Sequence, residues 1–255
     1  MRDTFVETEN VLKFYAALSE FEMRGAREAC MVVVDGQPGL GKTSAMSRWV
    51  AQNNAVYMRA QPGWDGSMFI HNLLRELGEE TPRRRAARFE LVIDKLSDRW
   101  DIAQLQHKPF GLVIDEVDTI ITKRDVMETI RGISDMIELP TVLVGMGTIR
   151  DQLKRYPQIN SRAPRRVRFE PATLLDTRRL VDERCEIKVA DCLVAFIHRA
   201  SQGFNREIVE AIASIERFGQ RIDIADGGIT MADMAGEKLM NDRNTASPIY
   251  IPGAR

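Results

Sequence analysis

Residues 32–43 read VVVDGQPGLGKT, an apolar stretch followed directly by the pattern G-x-x-x-x-G-K-T. The glycines of this pattern let the backbone turn tightly with its N–H groups pointing inward, because a Cβ would crowd both the turn and an anion held inside it. A helix is predicted to begin at Thr43, and the partial positive charge at its N-terminus favours the same anion. The stretch therefore predicts a phosphate-binding loop between a buried strand and a helix.

The loop residues each have a predicted task in binding a nucleoside triphosphate, ATP or GTP. Lys42 is expected to reach the β- and γ-phosphates, and the Thr43 hydroxyl is expected to occupy one position on Mg²⁺. A chance match is disfavoured because the motif requires a strand before it and a helix after it, and both are readable in this sequence. The predicted nucleotide-binding residues of this segment are Gly36, Gln37, Pro38, Gly39, Leu40, Gly41, Lys42, Thr43 and Ser44.

A second apolar stretch, Phe110 to Ile114, ends in two adjacent carboxylates, Asp115 and Glu116. Asp115 is predicted to bind the nucleotide's Mg²⁺ through its water shell, so that Thr43 and Asp115 are the metal residues. Glu116 is expected to point the other way and to orient and polarise the attacking water. The pair predicts a magnesium-dependent nucleotide hydrolase with Glu116 as a catalytic residue.

Two arginines are candidates for stabilising the charge that develops on the γ-phosphate in the transition state. Arg162 follows Asn160 and Ser161 just before a short predicted strand, and it is the candidate supplied in trans. Arg206 lies at the start of a predicted helix and is the candidate in cis. Local chemistry alone does not favour this catalytic role over that of a surface arginine paired with a nearby acid.

Composition and charge narrow the range of partners. The 255 residues include 36 basic and 37 acidic side chains, so any contact with DNA must be local. Arginines cluster in two places, residues 83–88 and residues 162–168, and a solvated face is an equal alternative to DNA contact for each cluster.

No apolar window is long enough to span a membrane and the N-terminus lacks a signal-peptide pattern, which predicts a cytoplasmic location. The three cysteines have no disulfide or zinc-ligand spacing.

Apolar strands alternate with helices over residues 30–171, which predicts a parallel sheet covered on both faces. Ligands of such sheets bind at the carboxyl ends of the strands, where the phosphate loop lies. A helical segment over residues 1–29 precedes this core, with an amphipathic helix at residues 6–23. An all-helical region follows at residues 172–240, its last helix at Met231 to Met240, and residues 241–255 are predicted to be a loose tail. The predicted strands are 30–34, 55–58, 110–114, 141–145 and 167–169.

These motifs together resemble those of the AAA+ ATPases. The phosphate loop, the Asp115-Glu116 pair, Arg162 and the Gly203-to-Arg206 step match, in order and spacing, the Walker A, Walker B, arginine-finger and sensor-2 elements of that superfamily. The resemblance implies an α/β fold: an AAA+ P-loop parallel five-stranded sheet with helices on both faces, followed by a small all-helical lid. Within the superfamily, residues 112–118, 128–135 and 142–146 are similar to the MuB and TnsC transposition regulators.

The resemblance also implies an activity. ATP and Mg²⁺ would be the cofactors, and homo-oligomers would assemble head to tail into filaments on double-stranded DNA, with the nucleotide between neighbouring subunits. The protein would deliver target DNA to a transposase, which would stimulate slow ATP hydrolysis. Arg162 would be the finger in trans and Arg206 would be sensor 2. The DNA-facing residues, expected to contact backbone phosphates without base readout, would be Thr81, Arg83, Arg84, Arg85 and Arg88.

The sequence departs from that pattern in two places, and alternatives stay open. Met146 stands where a small polar sensor-1 residue is expected, with Thr148 as the substitute. The short stretch before residue 10 leads us to expect an AAA-only form without the separate helix-turn-helix domain that MuB carries. One alternative is a helicase loader or initiator relative of the DnaC, IstB or Orc type. The other is a nucleotide-gated module that binds a protein partner and has no role on DNA.

Overall fold

The computed structural model describes residues 1–21, 25–27 and 29–253. The chain divides into two compact units. The first, here called the sheet unit, comprises Lys13–Gln37 and Lys42–Phe169. The second, here called the helical unit, comprises Met1–Leu12, Pro38–Gly41 and Glu170–Arg255. The middle of the phosphate loop is therefore grouped with the helical unit, and its two ends are grouped with the sheet unit.

The sheet unit contains a parallel five-stranded sheet in the order β2-β3-β4-β1-β5. This confirms the predicted α/β fold. Every residue of β1, β3 and β4 is buried, as expected for strands that are covered on both faces. The strands are β1 (Met31–Asp35), β2 (Val56–Arg59), β3 (Leu112–Asp115), β4 (Thr141–Val144) and β5 (Arg165–Arg168).

Helices pack against this sheet, and the apolar faces of the third to the seventh helix form one core with the strands. The third helix shows how local sequence builds them: the Asp65 side chain accepts a hydrogen bond from the Met68 N–H at 2.7 Å, and the buried Phe69 and Leu73 follow at helical spacing. The helices are α1 (Glu9–Ser19), α2 (Lys42–Asn53), α3 (Gly66–Glu76), α4 (Arg85–Leu105), α5 (Arg124–Met136), α6 (Ile149–Leu153) and α7 (Pro157–Asn160), with a 3₁₀ turn at Val117–Thr119.

The helical unit has its own apolar core, to which Val6 from the N-terminal segment also contributes. Its first helix begins with a capping box in which the side chains of Thr173 and Asp176 satisfy each other's backbone N–H groups. The elements of this unit are α8 (Leu174–Arg184), α9 (Asp191–Ser201), α10 (Asn205–Gly219), β6 (Lys238–Asn241) and β7 (Pro248–Tyr250).

The structure differs from the sequence predictions at both ends of the chain. Met231 to Met240 is not a helix: turns occupy residues 231–236 and β6 follows. The tail is not loose, because β7 pairs antiparallel with β6 and Ile251 is buried in the core. The first helix is Glu9–Ser19 and not residues 6–23. Residues 22 and 23 of that predicted helix, and residues 254 and 255 of the tail, lie outside the described residues.

The Asp242 side chain explains why a hairpin forms where a tail was expected. Its Oδ1 accepts hydrogen bonds from the N–H groups of Asn244 at 2.9 Å and Thr245 at 2.8 Å, which fixes the turn between β6 and β7. Leu239 and Met240 then pack into the core of the helical unit.

None of the helices in the described ranges combines the length and the apolar character that a membrane crossing requires.

Candidate active site

The phosphate loop adopts a backbone conformation that glycine permits and other residues resist. Gly36 has φ 150° and Gly39 has φ 90°. A Cβ on Gly36 would lie 2.6 Å from the backbone oxygen of Phe169, too close for any side chain. The loop follows β1, which lies between β4 and β5 in the sheet. Its first residue, Gly36, therefore packs directly against Phe169, the residue that follows β5.

Lys42 begins α2 and contacts the start of the loop. Its Nζ donates to the carbonyl oxygens of Gly36 at 2.6 Å and Gln37 at 2.9 Å. Burial lowers the pKa of the Lys42 ammonium, and the nearby carboxylates, Asp115 first among them, oppose that shift. An anion in the loop would oppose it further, because added negative charge favours the charged form of the lysine.

Asp115 at the end of β3 is 4% exposed and is held by three donors. Its Oδ2 accepts from the hydroxyls of Thr43 at 2.8 Å and Tyr57 at 2.9 Å, and its Oδ1 accepts from the Glu116 N–H at 2.8 Å. Burial, followed by the charge of Asp115, raises the pKa of Tyr57, so its phenol stays a donor at neutral pH. The structure thus brings the two predicted metal residues, Thr43 and Asp115, into direct contact.

This donor set fits Mg²⁺. The ion prefers hard oxygen ligands, keeps several waters and is bound by few protein groups together with substrate phosphates. A hydroxyl and a carboxylate 2.8 Å apart beside a phosphate loop provide such a set. Within the part of the chain that the structure describes, no three His, Cys, Asp or Glu side chains gather as a site for a protein-caged metal would require.

Glu116 follows Asp115 but faces a different partner. Its backbone lies in the left-handed region at φ 57°, and its side chain is 42% exposed. The carboxylate forms an ion pair with the guanidinium of Arg59, which is the register partner of Asp115 at the end of β2. The hydrogen bond from Arg59 to Glu116 raises the pKa of Arg59. Sequence reasoning missed both Tyr57 and Arg59, which lie on the strand beside β3.

At the predicted sensor-1 position, Met146, the backbone and not the side chain contacts an acid of the site. The Met146 N–H donates to Asp118 Oδ2 at 2.6 Å, and the Met146 side chain is half exposed. A Cβ on Gly145 would lie 2.5 Å from the same Asp118 oxygen. Thr148 precedes α6, and its hydroxyl contacts the Gln152 amide at 3.4 Å.

Arg162 lies at the opposite edge of the sheet from the phosphate loop. Its carbonyl accepts from the N–H of Met31, the first residue of β1, at 2.9 Å. Since β1 has five residues, its length separates Arg162 from the loop by about 16 Å. The Arg162 Nε donates to Asp135 Oδ1 at 3.2 Å, and Arg131 binds the other oxygen of that carboxylate at 3.1 Å. Arg162 therefore does not reach the phosphate loop of its own chain.

Within the helical unit, three groups hold the middle of the loop. The Arg206 N–H donates to the Gly39 carbonyl at 3.2 Å, while the residue itself is exposed. Asn205 Nδ2 donates to the Leu40 carbonyl at 3.3 Å, and Arg243 Nη2 donates to the Pro38 carbonyl at 2.9 Å. Arg243 is a further residue that sequence reasoning missed, because it lies in the segment expected to be a loose tail.

The predicted DNA-facing residues fall into two groups. Thr81 and Arg88 are used locally: the Thr81 hydroxyl bonds to His71 Nδ1 at 2.8 Å, and Arg88 Nε donates to the Pro82 carbonyl at 2.6 Å. Three consecutive arginines at the start of α4 are exposed to solvent: Arg83, Arg84 and Arg85. Ser44, predicted to bind nucleotide, is exposed in the first turn of α2.

Comparison with known proteins decides the family. The family model for the AAA domain matches residues 26–153, half of the chain. The chain belongs to the AAA domain family. A Staphylococcus aureus protein named "Potential ATP-binding protein" is 24% identical over 180 residues, covering 62% of this chain and 64% of that protein. The chain thus spans less than two thirds of the length of this curated relative.

Solved structures of other proteins share this fold. A RuvB mutant of Thermotoga maritima matches with TM-score 0.55 and 19% identity, covering 86% of this chain and 66% of that chain. Cdc6p of Pyrobaculum aerophilum matches with TM-score 0.58 and 16% identity, covering 86% and 65%. Orc1 of Aeropyrum pernix, solved in complex with DNA, matches with TM-score 0.55 and 15% identity, covering 86% and 62%. At these identities the likeness shows the fold alone.

The Tyr57 hydroxyl of this AAA domain should contribute to stability through its bond to Asp115. Replacing Tyr57→Phe leaves the buried carboxylate with one donor fewer, and the free energy of unfolding should fall by about 1–3 kcal/mol in urea titrations. The matched control is Tyr156→Phe, whose hydroxyl makes no hydrogen bond within the described residues. Equal stability of the two variants would contradict the role assigned to Tyr57.

Proposed function

We propose that this protein binds ATP with Mg²⁺ and hydrolyses it slowly, in a site that a neighbouring copy completes. The ATP-bound oligomer binds duplex DNA and delivers this target DNA to a transposase. The observation that carries the proposal is the hydrogen bond between Thr43 and Asp115 beside the phosphate loop. The AAA domain match and the name of the Staphylococcus aureus relative support ATP as the nucleotide.

Each residue of the site has a chemical task in this proposal. Lys42 neutralises the β- and γ-phosphates, and the loop N–H groups bind their oxygens. Thr43 and Asp115 would hold Mg²⁺, which when bound neutralises charge on the phosphate oxygens. Arg206 binds the nucleotide of its own chain, as its resemblance to sensor 2 implies.

Glu116 orients the attacking water and polarises it. In the structure its carboxylate is paired with Arg59, so the guanidinium and the water compete for the same oxygens. Hydrolysis therefore requires the pair to separate or to share the carboxylate, which is consistent with a slow basal rate. A partner that separates Arg59 from Glu116 would raise the rate of ATP hydrolysis. We propose that the transposase is this partner.

The arginine that completes the site comes from a neighbouring subunit. Arg162 lies at the amino edge of the sheet, so in a head-to-tail assembly it faces the carboxyl edge of the next copy. Asp135 holds its guanidinium, and Arg131 shares that carboxylate. The shared contact orients Arg162 while leaving part of its fork for a phosphate.

DNA binding rests on the three exposed arginines at the start of α4. Their side chains form no hydrogen bond or ion pair with another residue of the described ranges, and the net charge of −1 confines any DNA contact to such a local patch. The role in transposition rests on the likeness to MuB and TnsC. An initiator or helicase-loader role is the second candidate, and the fold likeness to Cdc6p and Orc1 favours it.

Mixing two inactive variants tests the shared site. Lys42→Ala should lose ATP binding, and Arg162→Ala should bind ATP but hydrolyse it about 10³-fold more slowly or worse. An equal mixture should recover about a quarter of wild-type turnover, because that share of interfaces pairs an intact loop with an intact Arg162. Phosphate release measures turnover.

The exposed Arg155 provides the control for this experiment, and Arg155→Ala should keep wild-type turnover. A mixture that stays inactive, or full turnover by Arg162→Ala alone, would contradict the trans arrangement.

Replacing Arg83, Arg84 and Arg85 together by alanine should weaken DNA binding equally for two unrelated duplexes in the presence of ATP and Mg²⁺. The loss of up to three phosphate contacts should lower the slope of log K against log salt by up to about 3, as fluorescence anisotropy would measure. The control removes the same charge elsewhere, by alanine at the exposed Arg179, Arg217 and Arg221. Unchanged affinity of the first variant would overturn the DNA interface, and a wild type without DNA affinity would favour the protein-binding module.

A further inference from the structure

Three consecutive carbonyl groups in the middle of the phosphate loop accept hydrogen bonds from the helical unit. Arg243 holds the carbonyl of Pro38 at 2.9 Å, the Arg206 N–H holds that of Gly39 at 3.2 Å, and Asn205 holds that of Leu40 at 3.3 Å. Two of the donors begin α10, and the third comes from the β6–β7 hairpin. Each peptide unit from residue 38 to residue 41 is thus fixed by a different donor.

These bonds determine where the loop N–H groups point. In a planar trans peptide the C=O and the N–H of one unit point in opposite directions, and the described residues contain no cis peptide. The N–H groups of Gly39, Leu40 and Gly41 therefore point away from the donors that hold the preceding carbonyls. No hydrogen bond from these three N–H groups to another described residue is formed. Successive N–H groups of this kind form an anion-binding nest.

Arg243 is the donor that is most firmly held. Its guanidinium lies 3.9 Å from the centre of the Phe204 ring, and its Nη1 is 3.3 Å from Glu207 Oε1. A Cβ on Gly39 would lie 3.0 Å from the same Nη1, so glycine leaves the room that the guanidinium uses. A side chain with three separate partners is pre-organised, and it holds the Pro38 carbonyl at little further entropic cost.

We propose that Arg243 is a positioning residue for the triphosphate: by holding the Pro38 carbonyl it aims the Gly39 N–H into the loop. The inference rests on the proposed ATP binding. Arg243 acts through the loop backbone and touches no phosphate. It therefore contributes to ground-state binding of phosphates and not to the chemical step.

The test compares Arg243→Ala with Arg243→Lys and with the control Arg217→Ala. In Arg243→Ala the KM for ATP and the inhibition constant of inorganic tripolyphosphate should both rise about tenfold, which is the loss of one charge-assisted hydrogen bond, while kcat stays within about twofold of wild type. Arg243→Lys should recover part of the affinity, because an ammonium can donate to the Pro38 carbonyl but lacks the planar fork.

Each outcome of this test is decisive. Wild-type KM and tripolyphosphate inhibition in both Arg243 variants would overturn the inference, whatever their stability in urea, because a purely structural residue lowers stability without moving phosphate affinity. If Arg243→Ala does not fold, Arg243→Met takes its place, because methionine keeps an unbranched apolar stem but cannot donate to the Pro38 carbonyl, and unchanged affinities in that variant overturn the inference. A wild-type protein that binds neither ATP nor tripolyphosphate would instead overturn the proposed function.

Discussion

The hydrogen bond between Thr43 and Asp115 joins the start of α2 to the end of β3, and the site is organised around it. The two strands that lead to these residues, β1 and β3, are not neighbours in the sheet, because β4 lies between them. Their ends meet only because all three strands are parallel and end at the same edge. Burying a carboxylate there is costly unless donors compensate, and Asp115 has three. The parallel sheet thus brings the two residues together, and their contact fixes where the negative charge of the site lies.

The two adjacent acids at this edge of the sheet, Asp115 and Glu116, lie in different environments. Asp115 is enclosed by hydroxyls and a backbone N–H, whereas Glu116 turns through a left-handed backbone conformation toward solvent and Arg59. One carboxylate is therefore fixed where an ion would be bound, and the other can change partner. Asp118 adds a third acid, which links the end of β3 to the backbone after β4. In the proposed mechanism this difference separates metal binding from water activation.

Much of this arrangement was predictable because the signals are local. Apolar runs mark the strands, and the glycine pattern with Lys42 and Thr43 marks the loop. The contributions of Tyr57 and Arg59 were not predictable, because they depend on the register between β2 and β3. Arg243 was missed for a related reason: Leu239, Met240 and Ile251 pack a hairpin into a core that no short-range pattern reveals. The resemblance assigns Thr81 and Arg88 to the DNA interface, and the local hydrogen bonds that both residues form appear only in three dimensions.

Calorimetric titration of ATP with and without Mg²⁺, on the wild type and on Asp115→Asn, tests the central claim most directly. Asn keeps the shape of Asp115 but removes the charge that would bind the ion. We expect Mg²⁺ to tighten ATP binding by the wild type and by the surface control Asp94→Asn, and to have no effect on Asp115→Asn, whose affinity for ATP alone stays close to that of the wild type. An undiminished Mg²⁺ effect in Asp115→Asn would contradict the account.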